Sequence, residues 1–163
     1  MRPRIWFFVL CLALAACFPH ASLADGKGGC PVTKAPDPPF VQPPPFNDET
    51  LGSGEFFYGT SALWAMVHPH WRVHGGGKLP YFRQGYDWLQ EKDPRLTVVA
   101  RRLDSPEKMV WAGWANNGNV ANKKSFMVTG LSIPTAGCWE IAAHYSPAPD
   151  NIQTLTYTVW VEP

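Results

Sequence analysis

Past residue 50 the chain never runs a dozen positions with a 3.6-residue apolar period without meeting Gly or Pro. That feature removes amphipathic helices from consideration and leaves strands. What recurs instead is period two. "RLTVVARRL" (95–103) puts Leu96, Val98 and Ala100 on one face. "KMVWAGWA" (108–115) puts Val110, Ala112 and Trp114 on one face, with Met109 and Trp111 on the other. "GCWEIAAHY" (137–145) aligns Trp139, Ile141, Ala143 and Tyr145, and "LTYTVWV" (155–161) aligns Leu155, Tyr157, Val159 and Val161. Alternation with Val, Thr and aromatic enrichment is the strand signature. "EFFYGTSALWAMV" (55–67), "PYFRQGYDW" (80–88) and "SFMVTGLSI" (125–133) complete the set. Between them, "HGGGKLP", "DSPEK", "NNGNVANKK", "PTAG" and "SPAPDN" read as turns. About seven strands predict an all-β, immunoglobulin-like antiparallel β-sandwich, with a small β-barrel as the alternative.

Ahead of the strands, seven of the chain's 17 prolines crowd into residues 31–47. Proline cannot donate to a strand ladder, so this segment is expected to be an extended, polyproline-like strap that gains little from burial. Further upstream, Arg2 and Arg4 flank the start of the apolar run "IWFFVLCLALAA" (5–16). The run is too short to span a bilayer and fits the h-region of a signal peptide. Two cleavage readings stand. "LAAC" (14–17) matches a bacterial lipobox, which makes Cys17 a lipidated first residue. Ser22 and Ala24 give the small-x-small pattern of ordinary cleavage. The expected organisation is a signal peptide at 1–16 (alternatively 1–24), a proline-rich spacer at 17–49 and a β-sandwich domain at 50–163. The expected location is the cell envelope, by lipid anchor or, after cleavage at Ala24, as a periplasmic or secreted protein. Loss of Arg2 and Arg4 turns the formal net charge of +1 negative. No basic patch then remains for nucleic acid. The partners expected are a membrane, through lipid on Cys17, and a protein or glycan.

Cysteine usage fits that address. Of Cys11, Cys17, Cys30 and Cys138, the first lies in the apolar run and the second is removed or lipidated. Cys30 and Cys138 remain, which reads as one disulfide in an exported chain. If Trp139 faces the core, alternation points Cys138 to the opposite side, where a strap outside the sheet could reach it.

Residues that could carry chemistry are few. His68, His70 and His74, with Met66, lie in "MVHPHWRVH" and are candidate Cu or Zn ligands. Pro69 interrupts them and no carboxylate adjoins them to orient a ring, so a polar loop with incidental histidines is the competing reading. Most Trp positions alternate as core residues do. The facing of Trp111, Trp114 and Trp160 is not fixed by pattern, and exposed aromatics there would suit sugar stacking. "GTSALW" lacks the second glycine of a nucleophile elbow. "GGGKL" lacks the first glycine of a phosphate loop. No catalytic residue and no cofactor are expected. The function expected is a non-enzymatic interaction or envelope-structural module. A periplasmic Cu/Zn-binding protein and a small carbohydrate-binding domain are the alternatives.

"FFYGTSALW", "RQGYDW", "LTVVARRLDSP" and "GLSIPTAGCWEIAAHY…LTYTVWVEP", taken together, resemble a group of uncharacterised bacterial exported proteins and lipoproteins. That group shows an aromatic-Tyr-Gly…Leu-Trp opening, an Arg-Arg-Leu-Asp strand end and a Gly-Cys-Trp-Glu strand. The similarity covers residues 50–163. It implies a small secreted or lipid-anchored β domain and brings no ligand or catalytic residue. The histidine segment 68–74 is not part of the pattern.

Overall fold

A computed structural model describes residues 27–46, 51–68, 70–120 and 124–163. The signal-peptide reading and the lipidation site Cys17 lie outside the described residues. The strands are β1 (Phe56–Thr60), β2 (Leu63–Val67), β3 (Trp71–Arg72), β4 (Gly77–Phe82) and β5 (Leu96–Arg102). They continue with β6 (Val110–Trp111), β7 (Asn116–Val120), β8 (Lys124–Leu131), β9 (Gly137–Ala148) and β10 (Asn151–Glu162). Two five-stranded sheets result, ordered β1-β2-β4-β8-β7 and β3-β10-β9-β5-β6. Neighbours are antiparallel except β3 and β10, which run parallel.

The chain is therefore an all-β sandwich. Its strands β2-β4-β8-β7 and β10-β9-β5 follow the A-B-E-D and G-F-C order of an immunoglobulin constant-type domain. The additions are edges: β1 pairs with β2 as a hairpin, β3 flanks β10 and β6 flanks β5. Inner faces match the alternation: Trp139, Ile141, Ala143 and Tyr145 are fully buried, and Leu155, Tyr157, Val159 and Val161 are buried beside them. The hydroxyls of Tyr81 on β4 and Tyr157 on β10 meet across the core at 3.3 Å. Burial pushes the Tyr157 phenol up to about 12 and raises that of Tyr81, so both stay neutral.

Several boundaries differ from expectation for local reasons. "PYFRQGYDW" is not one strand: β4 ends at Phe82 and residues 83–90 turn. "NNGNV" is a strand rather than a turn, because β7 lies at a sheet edge and Gly118 leaves room for the ring of Phe126 opposite it. Much of "SPAPDN" continues the long β9–β10 hairpin, with the turn confined to Pro149 and Asp150. Trp114 does not share a buried face with Val110 and Ala112, because the chain leaves β6 after Trp111.

The strap departs most from expectation. Cys30 and Cys138 are bonded, with Cα atoms 5.5 Å apart, and Cys138 points away from the core as alternation requires. From there the strap crosses the exposed side of β10, where Thr33 N–H donates to the Thr158 carbonyl (2.9 Å). Thr158 N–H in turn donates to Thr33 Oγ1 (2.8 Å). It then wraps onto the outer face of the β1-β2-β4-β8 sheet. There Phe40 and Phe46 pack on Trp64 (5.9 and 5.7 Å between ring centres), and Phe46 and Trp64 also pack on Phe82 (5.1 and 5.7 Å). The Gln42 amide accepts from Trp64 Nε1 (3.2 Å) and donates to the Phe46 carbonyl (2.8 Å). The strap thus buries Phe46 and Gln42 and builds a second apolar cluster, contrary to a segment that gains little from burial.

The bond closes a span of 108 residues, for which the chain-entropy model gives about 4–5 kcal/mol of stabilisation. Replacing both Cys30 and Cys138 with Ala is expected to lower the unfolding free energy in urea by about that amount. Amide exchange in the Cys30–Phe46 segment should rise well before exchange in β9.

Candidate functional site

Three surfaces concentrate chemistry. The first surrounds the disulfide. Arg102, at the end of β5, donates from Nε to Asp104 (2.6 Å) and from Nη1 to Glu107 and to Thr135 Oγ1 (3.0 Å). Asp104 accepts the Cys138 N–H (3.0 Å), and Leu103 N–H donates to the Cys138 carbonyl (2.8 Å). Gly137 adopts φ +139°, and a Cβ there would lie 2.8 Å from both Arg102 Nη2 and Asp104 Oδ2. Only glycine suits that position on both counts. The "RRLD" and "GCWE" stretches therefore meet in space as one clamp, extended by the Arg101–Glu140 ion pair (2.8 Å). Glu140 is engaged by that pair, while Cys138 is fixed by Asp104.

The second surface is a groove on the outer face of the other sheet. Its origin lies in the backbone. β2 pairs with β4 only at Trp64↔Phe82 and Ala65↔Tyr81. The next β4 residue, Pro80, has no N–H to continue the ladder. β2 ends at Val67, and the chain crosses to the other sheet as β3, where Trp71 lies beside Val161. The split leaves a cavity of about 430 Å³, walled by Phe57, Met66, Pro80, Phe82, Phe126 and Val128. Phe46 of the strap bounds it, and Lys78, His68 and Glu55 supply its polar groups. Glu55 accepts from Gly52 N–H (2.6 Å) and faces His68 Nδ1 at 2.7 Å. A carboxylate does orient this ring, through the β1–β2 hairpin.

The third surface is the open outer face of the β9-β5-β6 side. Register lines up Trp111, Val99, Ala142 and Thr156 in one row. Thr97, His144 and Thr154 form the next, and Arg101 and Glu140 another, which ends at Thr158 under the strap. Trp111 and Trp114 are 53% and 80% exposed, with ring centres 5.4 Å apart and planes at 88°. Exposed indoles are uncommon enough to mark a surface.

No family model, curated protein or solved structure matches the chain. The sequence-predicted residues are therefore placed by geometry alone. His68 faces Glu55. His70 is exposed ahead of β3, and His74 sits in a turn at φ 54°, its N–H bonded to the Ile133 carbonyl (2.9 Å). Among the described residues no three His, Cys, Asp or Glu side chains gather in a metal-binding group. Of the Trp residues whose facing the pattern left open, Trp111 and Trp114 are exposed and Trp160 is half-buried beside the strap. Sequence reasoning missed Glu55 and Lys78. The available signal was the second apolar face of β2, Trp64 and Met66, which a one-sided sheet would not carry.

Burial pushes the Asp104 carboxyl up, but the Arg102 guanidinium and the Cys138 N–H outweigh it and hold the group below its ordinary 3.8. A depressed folded pKa contributes stability that is present above the unfolded value and lost as pH falls through the folded one. Asp104→Asn is therefore expected to be less stable than wild type near pH 7. The two should converge as pH falls below the folded pKa of Asp104, in urea unfolding followed across pH.

Proposed function

We propose that this chain is an exported, non-enzymatic interaction module that recognises a glycan on the outer face of the β9-β5-β6 side. The observation that carries the reading is the exposed Trp111–Trp114 pair beside a polar sheet face. The aliphatic C–H faces of sugars pack against the π faces of indole rings. The neighbouring rows offer the alternating donors and acceptors that hydroxyl groups need: Thr97, Thr154 and Thr156, the His144–Thr154 contact (3.2 Å) and the Arg101–Glu140 pair. The indoles form a corner rather than a coplanar row, which suits a chain end or a bend in a saccharide better than a flat crystalline surface.

A glycan array probed with the mature chain, followed by titration monitored through Trp fluorescence, tests this reading. Binding is expected in wild type and in Trp88→Ala. It should be lost, by about 1–3 kcal/mol per ring, in Trp111→Ala and Trp114→Ala. An array without signal, or binding indifferent to both indoles, removes the reading.

Export with a lipid tether on Cys17 belongs to the same proposal. The disulfide fits an oxidising compartment, and no helix among the described residues is long and apolar enough to cross a membrane. Expressed in a bacterial host, the full chain is expected to partition into detergent with the membrane fraction, and Cys17→Ser to release it. Equal partitioning of both forms into the aqueous phase supports cleavage after Ala24 instead.

A further inference from the structure

We infer that the groove between β2 and β4 binds a single-chain amphiphile with an anionic head, of the fatty-acid class. The site is independent of the indole corner and lies on the opposite sheet. Its volume of about 430 Å³ falls in the range of small-ligand pockets. Its walls are aromatic and aliphatic: Phe57, Met66, Phe82, Phe126 and Val128, closed on one side by Phe46 of the strap. An apolar tail laid there removes these faces from water. The lining follows from the fold. Pro80 ends the β2–β4 ladder and β2 ends at Val67, so a second layer of side chains is left without a neighbouring strand to cover it.

The polar groups select the head. Both Glu55 oxygens are engaged within the protein, by Gly52 N–H and by His68 Nδ1. Lys78 lines the same groove and has no carboxylate partner among the described residues. A cation at the rim of an apolar cleft complements an anionic head on an apolar tail. The cleft is bounded by Phe46 of the strap, and its volume of about 430 Å³ suits one small ligand, which favours a monomeric amphiphile over a bilayer surface.

Calorimetric titration of the mature chain with laurate, and with dodecyltrimethylammonium as the same tail under a cationic head, tests the proposal. Laurate is expected to bind with a Kd on the order of micromolar, more tightly than the cation. It should shift the amide resonances of Met66, Lys78 and Val128. Val128→Trp, which fills the cleft from its half-buried wall, is expected to weaken laurate by about tenfold or more. Lys78→Glu is expected to weaken laurate by about fivefold and to leave the cationic amphiphile unweakened. Should Val128→Trp fail to fold by near-ultraviolet circular dichroism, the wild-type amide shifts decide. Absence of those shifts at millimolar laurate, equal affinity for the two heads, an unaltered laurate affinity in folded Val128→Trp, or binding to anionic phospholipid vesicles alone would overturn it.

Discussion

A β-sheet with two apolar faces cannot stand in water with only one of them covered. The β1-β2-β4-β8 sheet is in that position. Leu63, Ala65 and Val67 point into the sandwich, while Trp64 and Met66 point out, and Phe57, Phe82 and Phe126 join them on the outer side. The second sheet satisfies the first set. The strap satisfies the second, by placing Phe40, Gln42 and Phe46 on Trp64 and Phe82. A proline-rich segment loses less conformational entropy on ordering than an ordinary one, which makes it a suitable cover. It has few backbone donors with which to hold itself in place. The Cys30–Cys138 bond supplies that attachment at one end and the Thr33–Thr158 exchange supports it a short way along. The clamp of Arg102, Asp104 and Cys138 holds the strand side of the same bond.

Cover and cavity have a common origin. The chain moves from β2 in one sheet to β3 in the other within a few residues, as the edge strand of such a sandwich can. Pro80 stands at the point where the ladder stops. The strap closes part of the opening and leaves the remainder as the groove near His68, Glu55 and Lys78. The outer face on the opposite sheet is built differently. Its outward positions on β5 and β9 are mostly Thr, His, Arg and Glu, with Val99 and Ala142 among them, and its exposed indoles are gathered at the β6 edge. One domain thus offers an apolar cleft on one side and a polar face with indoles on the other.

Much of the sandwich was legible in the residues. Strands whose one face is core and the other solvent alternate cleanly, and β5, β9 and β10 were read in register with their burial. The bond was legible too, because elimination left only Cys30 and Cys138, and alternation fixed the side on which Cys138 emerges. The short edges were not. β3 holds two residues, too few for a period to register, and β6 keeps only Val110 and Trp111 of the longer strand expected over 108–115. β7 is written in Asn and Gly, residues that otherwise mark turns. The groove was hidden for a further reason: it depends on the β2–β4 ladder stopping short of Pro80, which is known only once β2 and β4 are in register. The histidines illustrate the same limit. Their spacing pointed to one another, whereas the hairpin gave His68 to Glu55, 2.7 Å away.

The claim on which the account rests is that the strap is fastened to a late strand in the protein as it occurs in the cell. Mass-spectrometric peptide mapping of native-host material, with free thiols alkylated before any reduction, tests it directly. The account predicts a single linked pair containing Cys30 and Cys138, lighter by two hydrogens than the separate peptides and carrying no alkyl label at either position. Full alkylation of both cysteines in folded, unreduced protein would contradict it.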